Sequence, residues 1–547
     1  MKKQVVFILA YLFSGIFFQA NAQDPFLNKR ADWLQKAEKY KPALVSREVS
    51  PQWVVRSIQD SSAFQGWRME KVPGIEAVYS SSFKKQSGII LDFGEHLTGH
   101  FTFKLKLLSA TSDAPIRFKF TFGEVPAELN TPFDPYPGGL SRAWLQDEIV
   151  TVITVPSEIT IPRRLSFRYV KIELLGSSPG FDFAFDKITL SATTSVTNKA
   201  PELPAGTDPL TNKIYRIGLN TLKECMQTVY EDGPKRDLRL WIGDLYLEAL
   251  ANTYSYQNHD LTKRCLYLLA ALADKTGWLH ATVYESPVPA PQEGQHCMDY
   301  SLIYNVALLE YLKATGDRET ALDLWPVVIR QIEVVQNYLT PELIYDMQKQ
   351  PQIWLVFDWK DALNRHAPMQ GLTIFALQKS YELATLLGKE KEVTHWPALI
   401  KQMKKAARKH FYDKKQGVIV SGEQRQVSYL SQAWMVLSET LNEKEGVRAL
   451  TYALNDPNTC TVGSPYGQHY FLEALVKCNM RAEAKELMHR YWGGMVNKGA
   501  DTFWEVYDPE NDYLSPYNFF PINSYCHAWS CTPVYFINKY PEIFLEN

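Results

Sequence analysis

Apolar and polar residues alternate along the first part of the chain and then change rhythm. Segments 88–94, 99–107, 116–122, 147–155 and 167–175 run with period two, and Gly, Pro, Ser and Asp punctuate them. That rhythm predicts an antiparallel β-sandwich. Residues 125–140 form a Pro/Gly-rich loop of the kind that reaches toward a neighbouring domain's site. Residues 197–210, rich in Pro and Thr, read as a linker. Beyond it the period is helical, with segments near 211–228, 238–257, 261–275, 299–315, 318–338, 371–388, 393–410, 428–440, 443–454, 468–478, 481–491 and 527–538. Paired helices with no sheet to cover must bury their faces on each other. A closed ring of six hairpins, the (α/α)6 toroid, fits this count, and the lack of a fixed-period repeat disfavours a solenoid. The predicted fold is therefore an N-terminal β-sandwich over 23–200 followed by an (α/α)6 domain over 201–547.

Residues 1–22 do not belong to either domain. Lys2 and Lys3, an apolar run over 5–18 and Ala20-Asn21-Ala22 make a secretory signal peptide, which predicts a periplasmic or secreted protein. Its apolar core is short for a span and no later stretch of about 18 apolar residues follows, so membrane insertion is not expected. A net charge of −2 without basic tracts argues against nucleic acid as a partner. The seven cysteines, at 225, 265, 297, 460, 478, 526 and 531, form no disulfide framework, although one bridge stays open in an oxidising compartment. C-x-x-C and H-E-x-x-H are both missing, so neither a metal site nor another cofactor is expected.

The chemistry concentrates in 232–244, which reads D-G-P-K-R-D-L-R-L-W-I-G-D. Asp232 is a preferred N-cap and Pro234 suits a first turn, so a helix is expected from about Gly233. On that helix Asp237, Trp241, Asp244 and Glu248 would share one face, with Arg236 and Arg239 at hand to pair the acids. The plainer alternative is a capped helix with a structural Asp–Arg network. Interhelical loops add aromatics beside single polar groups: Trp278 and His280, Trp354 with Asp358 and Trp359, Trp504-Glu505, and Tyr525 to Trp529 around His527. Indole planes with Asp, Glu and His hydrogen-bonding groups suit a sugar, whose ring has apolar C–H faces and polar hydroxyls. Core packing is the competing explanation for any one of these tryptophans.

The 232–244 stretch resembles the signature of the α-L-rhamnosidases of glycoside hydrolase family 78, Asp-x-Pro-x-Arg-Glu followed by Trp-x-Gly-Asp at the same spacing. Asp232, Pro234, Arg236, Trp241, Gly243 and Asp244 coincide with it. L-D-F-G at 91–94, F-G-E at 122–124, F-R-Y-V-K-I at 167–172, F-D-W at 357–359, T-F-W-E at 502–505 and C-H-A-W at 526–529 also look like the family's motifs. The resemblance implies an inverting glycoside hydrolase that removes terminal α-L-rhamnose from a glycan or glycoside and needs no cofactor. It implies Glu505 as general base, and Asp232, Arg236, Trp241 and Asp244 as residues that hold the sugar or shape its pocket. Asp358, Trp359, Trp504 and His527 are expected to line it. The acid position departs from the family: Asp237 stands where the motif has Glu, with about 1.5 Å less reach.

The expected mechanism is single displacement. Asp237, kept protonated by desolvation against Trp241 and by its acidic neighbours, gives its proton to the glycosidic oxygen while Glu505 activates water. Two other readings stay open at this point. One is an (α/α)6 glycosidase or lyase for another sugar, with Tyr525 and His527 as a lyase's base. The other is a silent carbohydrate-binding homologue in which Asp237 no longer delivers a proton.

Overall fold

The computed structural model describes residues 24–85, 88–113, 115–349 and 354–546. The predicted signal peptide lies outside these residues. Among the described residues no helix is long and apolar enough to cross a membrane.

The sandwich is organised by one long strand, Ile89–Leu107, where the sequence reading places two. Its first half pairs with Leu165–Gly176 and with Trp53–Gln59; its second half pairs with Phe183–Thr194 and Ser157–Thr160. The same strand thus serves both layers, and the register shifts between Asp92 and Leu97 as it bends. Gly99 sits where the partner changes: a Cβ there would come within 2.0 Å of the Ser191 carbonyl oxygen, so only glycine lets the backbones meet. Inward alternation from both layers places Phe93, Phe101, Phe103, Phe118, Phe120, Phe122, Phe167, Phe183 and Phe185 in one core.

The helical domain is the predicted ring. Ile242–Thr253, Met298–Thr315, His366–Leu387, Tyr429–Leu437 and Pro465–Lys477 pack each on the next, and Ala528–Cys531 closes the circle against the first and last. The outer layer is Pro209–Cys225, His259–Ala271, Arg318–Gln336, Trp396–Phe411, Glu443–Asn455 and Arg481–Asn497. The last predicted helix, 527–538, is broken: Ala528–Cys531 is a 3-10 turn and the α-helix starts at Pro533, whose ring fits a first turn and not a helix interior.

Two further expectations change. The chain from residue 24 opens with a helix, Arg30–Lys39, that packs on His259–Ala271 of the ring and not on the sandwich, although it lies inside the range 23–200. Trp33 is fully buried there and its indole donates to Asp323 at 3.1 Å, while Arg30 donates to the Ala271 carbonyl at 2.8 Å. The second change is at the signature. No helix starts at Gly233; it starts at Ile242, after a loop and the short strand Leu240–Trp241. Asp232 does cap, but it caps that loop: its carboxylate accepts from the amides of Asp237 at 3.3 Å and Arg239 at 3.2 Å, with Leu238 at φ +61° between them. Donors that a helix would leave free are satisfied locally, so the chain turns back on itself.

Candidate active site

A pocket of about 240 Å³ opens at one mouth of the ring. The folded-back loop supplies Asp232, Arg236, Asp237 and Arg239, and the strand and helix that follow supply Trp241 and Asp244. The acids therefore converge by loop closure, whereas a shared helix face was expected. Asp244 stands in the first turn of Ile242–Thr253, where the helix dipole favours negative charge. Glu248 lies on the same helix, fully buried outside the pocket with neither carboxyl oxygen hydrogen-bonded among the described residues, and burial pushes its pKa well up.

Glu505 comes from the segment before Tyr507, far downstream in the chain, and is 2% exposed. It accepts hydrogen bonds from the Arg236 guanidinium and the Tyr517 hydroxyl, and from the Ser524 amide at 3.3 Å. Burial pushes its pKa up, but Arg236, then His527 and the Tyr517 hydroxyl, outweigh burial and hold the carboxyl below its ordinary value. Asp237 was expected in a desolvated, acid-rich setting. It does lie beside Asp232, yet its own oxygens pair with Arg236 at 3.4 Å and Arg239 at 2.9 Å. Asp232 is the acid that burial and the neighbouring Asp237 push up, to about 8. Burial raises Asp244 as well, against the pull of His527, whose Nε2 is 3.4 Å from its carboxylate. His527 in turn is raised: burial opposes its charge, but Asp244, Glu505 and Asp232 favour it more.

Aromatic rings frame these groups. Trp354 meets Trp241 edge-on at 6.1 Å and Trp359 at 5.8 Å, and Trp359 meets Tyr517 at 5.7 Å. The indole N–H groups of Trp241 and Trp359 have no partner among the described residues. The arrangement offers an apolar wall, free donors and buried carboxylates around one small volume, as a sugar ring requires.

Two predicted lining residues are elsewhere. Asp358 is buried behind the wall, where it accepts from the Gly463 amide at 2.8 Å and the Lys360 amide at 3.1 Å and so fixes the loop that carries Trp359. Trp504 stacks on Phe64 of the N-terminal region at 4.1 Å, which holds the backbone beside Glu505 without reaching the pocket. Tyr300, Gln292, Tyr517 and Leu140 line the pocket without having been singled out as site residues, and Trp354 and Trp529, noted only among the loop aromatics, line it as well. Leu140 had a signal, since it ends the Pro/Gly-rich sandwich loop, and Gly139 beside it donates to the Tyr517 carbonyl at 2.9 Å. Of the two groups the lyase reading used, only His527 lines the pocket; the Tyr525 hydroxyl is outside the lining, accepting from Gln65 at 2.6 Å and donating to the Phe520 carbonyl at 2.9 Å. All seven cysteines are free thiols, with the Cys225 and Cys526 sulfurs 4.0 Å apart.

Residues 51–192 match the glycosyl hydrolase family 78 alpha-rhamnosidase N-terminal domain, and residues 205–540 match the bacterial alpha-L-rhamnosidase 6 hairpin glycosidase domain. Among solved structures, a rhamnosidase from Klebsiella oxytoca with rhamnose bound is 38% identical, with a TM-score of 0.90 over 93% of this chain and 99% of that one. A family 78 rhamnosidase of Bacillus sp. GL1 shares the fold at 19% identity, TM-score 0.69, over 86% of this chain and 49% of that one. The Streptomyces avermitilis alpha-L-rhamnosidase complexed with L-rhamnose does so at 16% identity, TM-score 0.65, over 91% and 44%. No curated protein matches the chain. With both of its domains matched in order and a relative aligned almost end to end, the chain belongs to glycoside hydrolase family 78, and is a glycoside hydrolase.

Proposed function

We propose that the protein removes terminal α-L-rhamnose from glycans or glycosides by an inverting single displacement, with Asp237 as general acid and Glu505 as general base. One observation carries the reading: the Arg236 guanidinium contacts both carboxylates at the edge of a sugar-sized aromatic pocket. The cation favours an ionised Glu505, the state a base needs to polarise water. Asp237, on the loop side, gives its proton to the departing oxygen. Positive charge developing at the ring is met by the ionised Glu505. Asp232, Asp244 and His527 hold hydroxyls, while Trp241 and Trp359 cover apolar ring surface and offer their N–H groups. The rhamnose bound to the Klebsiella oxytoca relative supports the choice of sugar. The leader at residues 1–22 supports a periplasmic or secreted site of action.

The test is hydrolysis of an aryl α-L-rhamnoside, with the first-formed sugar followed by proton NMR. Initial release of β-L-rhamnose is expected. Initial α-L-rhamnose would overturn inversion, and cleavage only of other glycosides would overturn the substrate. A sugar-binding homologue without turnover has one observation in its favour: both Asp237 oxygens are already engaged by guanidinium groups. Rhamnose binding without cleavage of any glycoside would select it.

A further inference from the structure

We propose that Glu124 and Glu128 of the sandwich domain, acting through Lys235, are positioning residues for the hydrolytic centre, so that the N-terminal domain is a working part of the active site. The inference rests on the proposed roles of Arg236 and Glu505.

Glu124 follows the strand Ile116–Gly123, and Glu128 lies in the turn Pro126–Leu129. Both are 2% exposed, and both meet the Lys235 ammonium at 2.8 Å, itself 4% exposed. Lys235 is the residue before Arg236. Glu124 also accepts from the Tyr525 amide at 2.7 Å, and Tyr525 follows Ser524, whose amide and carbonyl bracket Glu505 at 3.3 Å and 2.9 Å. A single sandwich carboxylate therefore touches the two chain segments that carry the bridging arginine and the backbone cradle of the base. The far ends are pinned too. Glu128 takes the amides of Glu124 at 2.6 Å and Val125 at 2.9 Å, and His96 holds the other Glu124 oxygen at 3.0 Å. Arg236 completes the tie by donating to the Ile522 carbonyl at 3.1 Å. Burying three charges away from water is a poor way to gain stability alone, since apolar residues of the same volume do as well. What such a network does supply is one fixed geometry, and small displacements of catalytic groups are costly to rate.

The experiment is Glu124→Gln, an isosteric change, assayed for kcat and KM across pH on an aryl α-L-rhamnoside together with thermal unfolding. Glu505 is faced by Arg236, Tyr517, His527 and Asp244. If Arg236 loses its seat, the acidic limb of kcat moves to higher pH, and kcat falls by about 10²-fold with little change in KM. Lys235→Met probes the contact from the other side and should do the same if Glu124→Gln does not accumulate. Arg168→Gln, which breaks another contact between the domains, to Asp501 at 3.2 Å, should lower the unfolding temperature without moving the limb. A lower unfolding temperature with an unmoved limb in Glu124→Gln and Lys235→Met overturns the proposal. Turnover by the unmodified protein tests the proposed function separately, and a crystal structure of Glu124→Gln tests the positioning role whether or not the protein cleaves rhamnosides. Arg236 displaced from Glu505 supports that role; an unchanged pair refutes it.

Discussion

Arg236 and Glu505 form a buried ion pair in the pocket's lining, and the same guanidinium reaches Asp237 at 3.4 Å. A planar cation with separate nitrogens for two carboxylates does what a lysine's single ammonium does not. Arg236→Lys is therefore expected to lower kcat by about 10²-fold and to shift the acidic limb of the pH profile upward, because the ammonium keeps the charge but cannot hold Glu505 and Asp237 together, so Glu505 loses the close hydrogen bond that helps keep its pKa down. An unchanged limb would separate Arg236 from the ionisation of the base.

Asp237 and Glu505 should respond differently to the leaving group. Glu505→Gln is expected to cost about 10²–10⁴-fold in kcat on every substrate, the usual range for a general base. Asp237→Asn should cost as much on a natural sugar leaving group but much less on an activated aryl one, which departs with little protonation. Kinetics on paired natural and aryl rhamnosides decide this, and equal losses on both would remove Asp237 from the acid role.

Tyr517→Phe deletes a hydroxyl that donates to Glu505 and leaves the ring against Trp359. A loss of about tenfold in kcat is expected, roughly one charge-assisted hydrogen bond, with the acidic limb moving in the same direction as for Arg236→Lys but less. The pH profile of the purified variant checks it.

The buried acids set a stability trend. Asp232 holds its proton in the folded protein up to about 8, whereas the unfolded chain releases it near 3.8. The folded state therefore binds more protons between those values, and stability falls as pH rises through that window, by at most about 1.4 kcal/mol per pH unit for this one group. Asp232→Asn should flatten the fall in denaturant titrations from pH 5 to pH 8. Glu505 works the other way. Its lowered pKa contributes stability above the ordinary carboxylate value of 4.5, and that contribution is lost as pH falls through the folded value.

Trp504 offers a contrast with the pocket tryptophans. Trp504→Ala removes a stacked, buried ring and should cost about 3–5 kcal/mol in stability. Sugar affinity in the protein that remains folded should change little, because the ring touches no part of the pocket. Calorimetric titration with rhamnose distinguishes this from a lining role.

The ring was legible in the sequence because its outer helices bury one face and keep the 3.6-residue period, while its inner helices, buried on nearly every side, are apolar almost throughout. Where it misled, a specific residue is responsible. Pro368 marks a boundary by composition, yet it sits inside the first turn of His366–Leu387, where a missing N–H does no harm. Phe183–Thr194 escaped as a strand because Asp186 and Lys187 interrupt its alternation, and the register there shifts by a residue against Lys104 and Leu105. At the site, the acids and Trp241 were readable through their spacing, but the loop that gathers them was not. Asp232 satisfying amides five and seven residues ahead leaves no periodic trace. Tyr517 and Gln292 are single polar residues on loops, and nothing local distinguishes them from solvent-facing ones.

The helix Arg30–Lys39 bears on how the molecule comes together. Lys29 just before it, and its own Lys36 and Trp33, all close on Asp323, nearly three hundred residues downstream. Synthesis proceeds from the N-terminus, so this helix is made before the sandwich strands and long before Asp323. His259–Ala271 supplies most of its seat, and Arg318–Gln336, the third outer helix, completes it with Asp323. The two domains are thus threaded through one another in time, and a ring made without its first forty residues would leave Asp323 without the cations and the indole that meet it there.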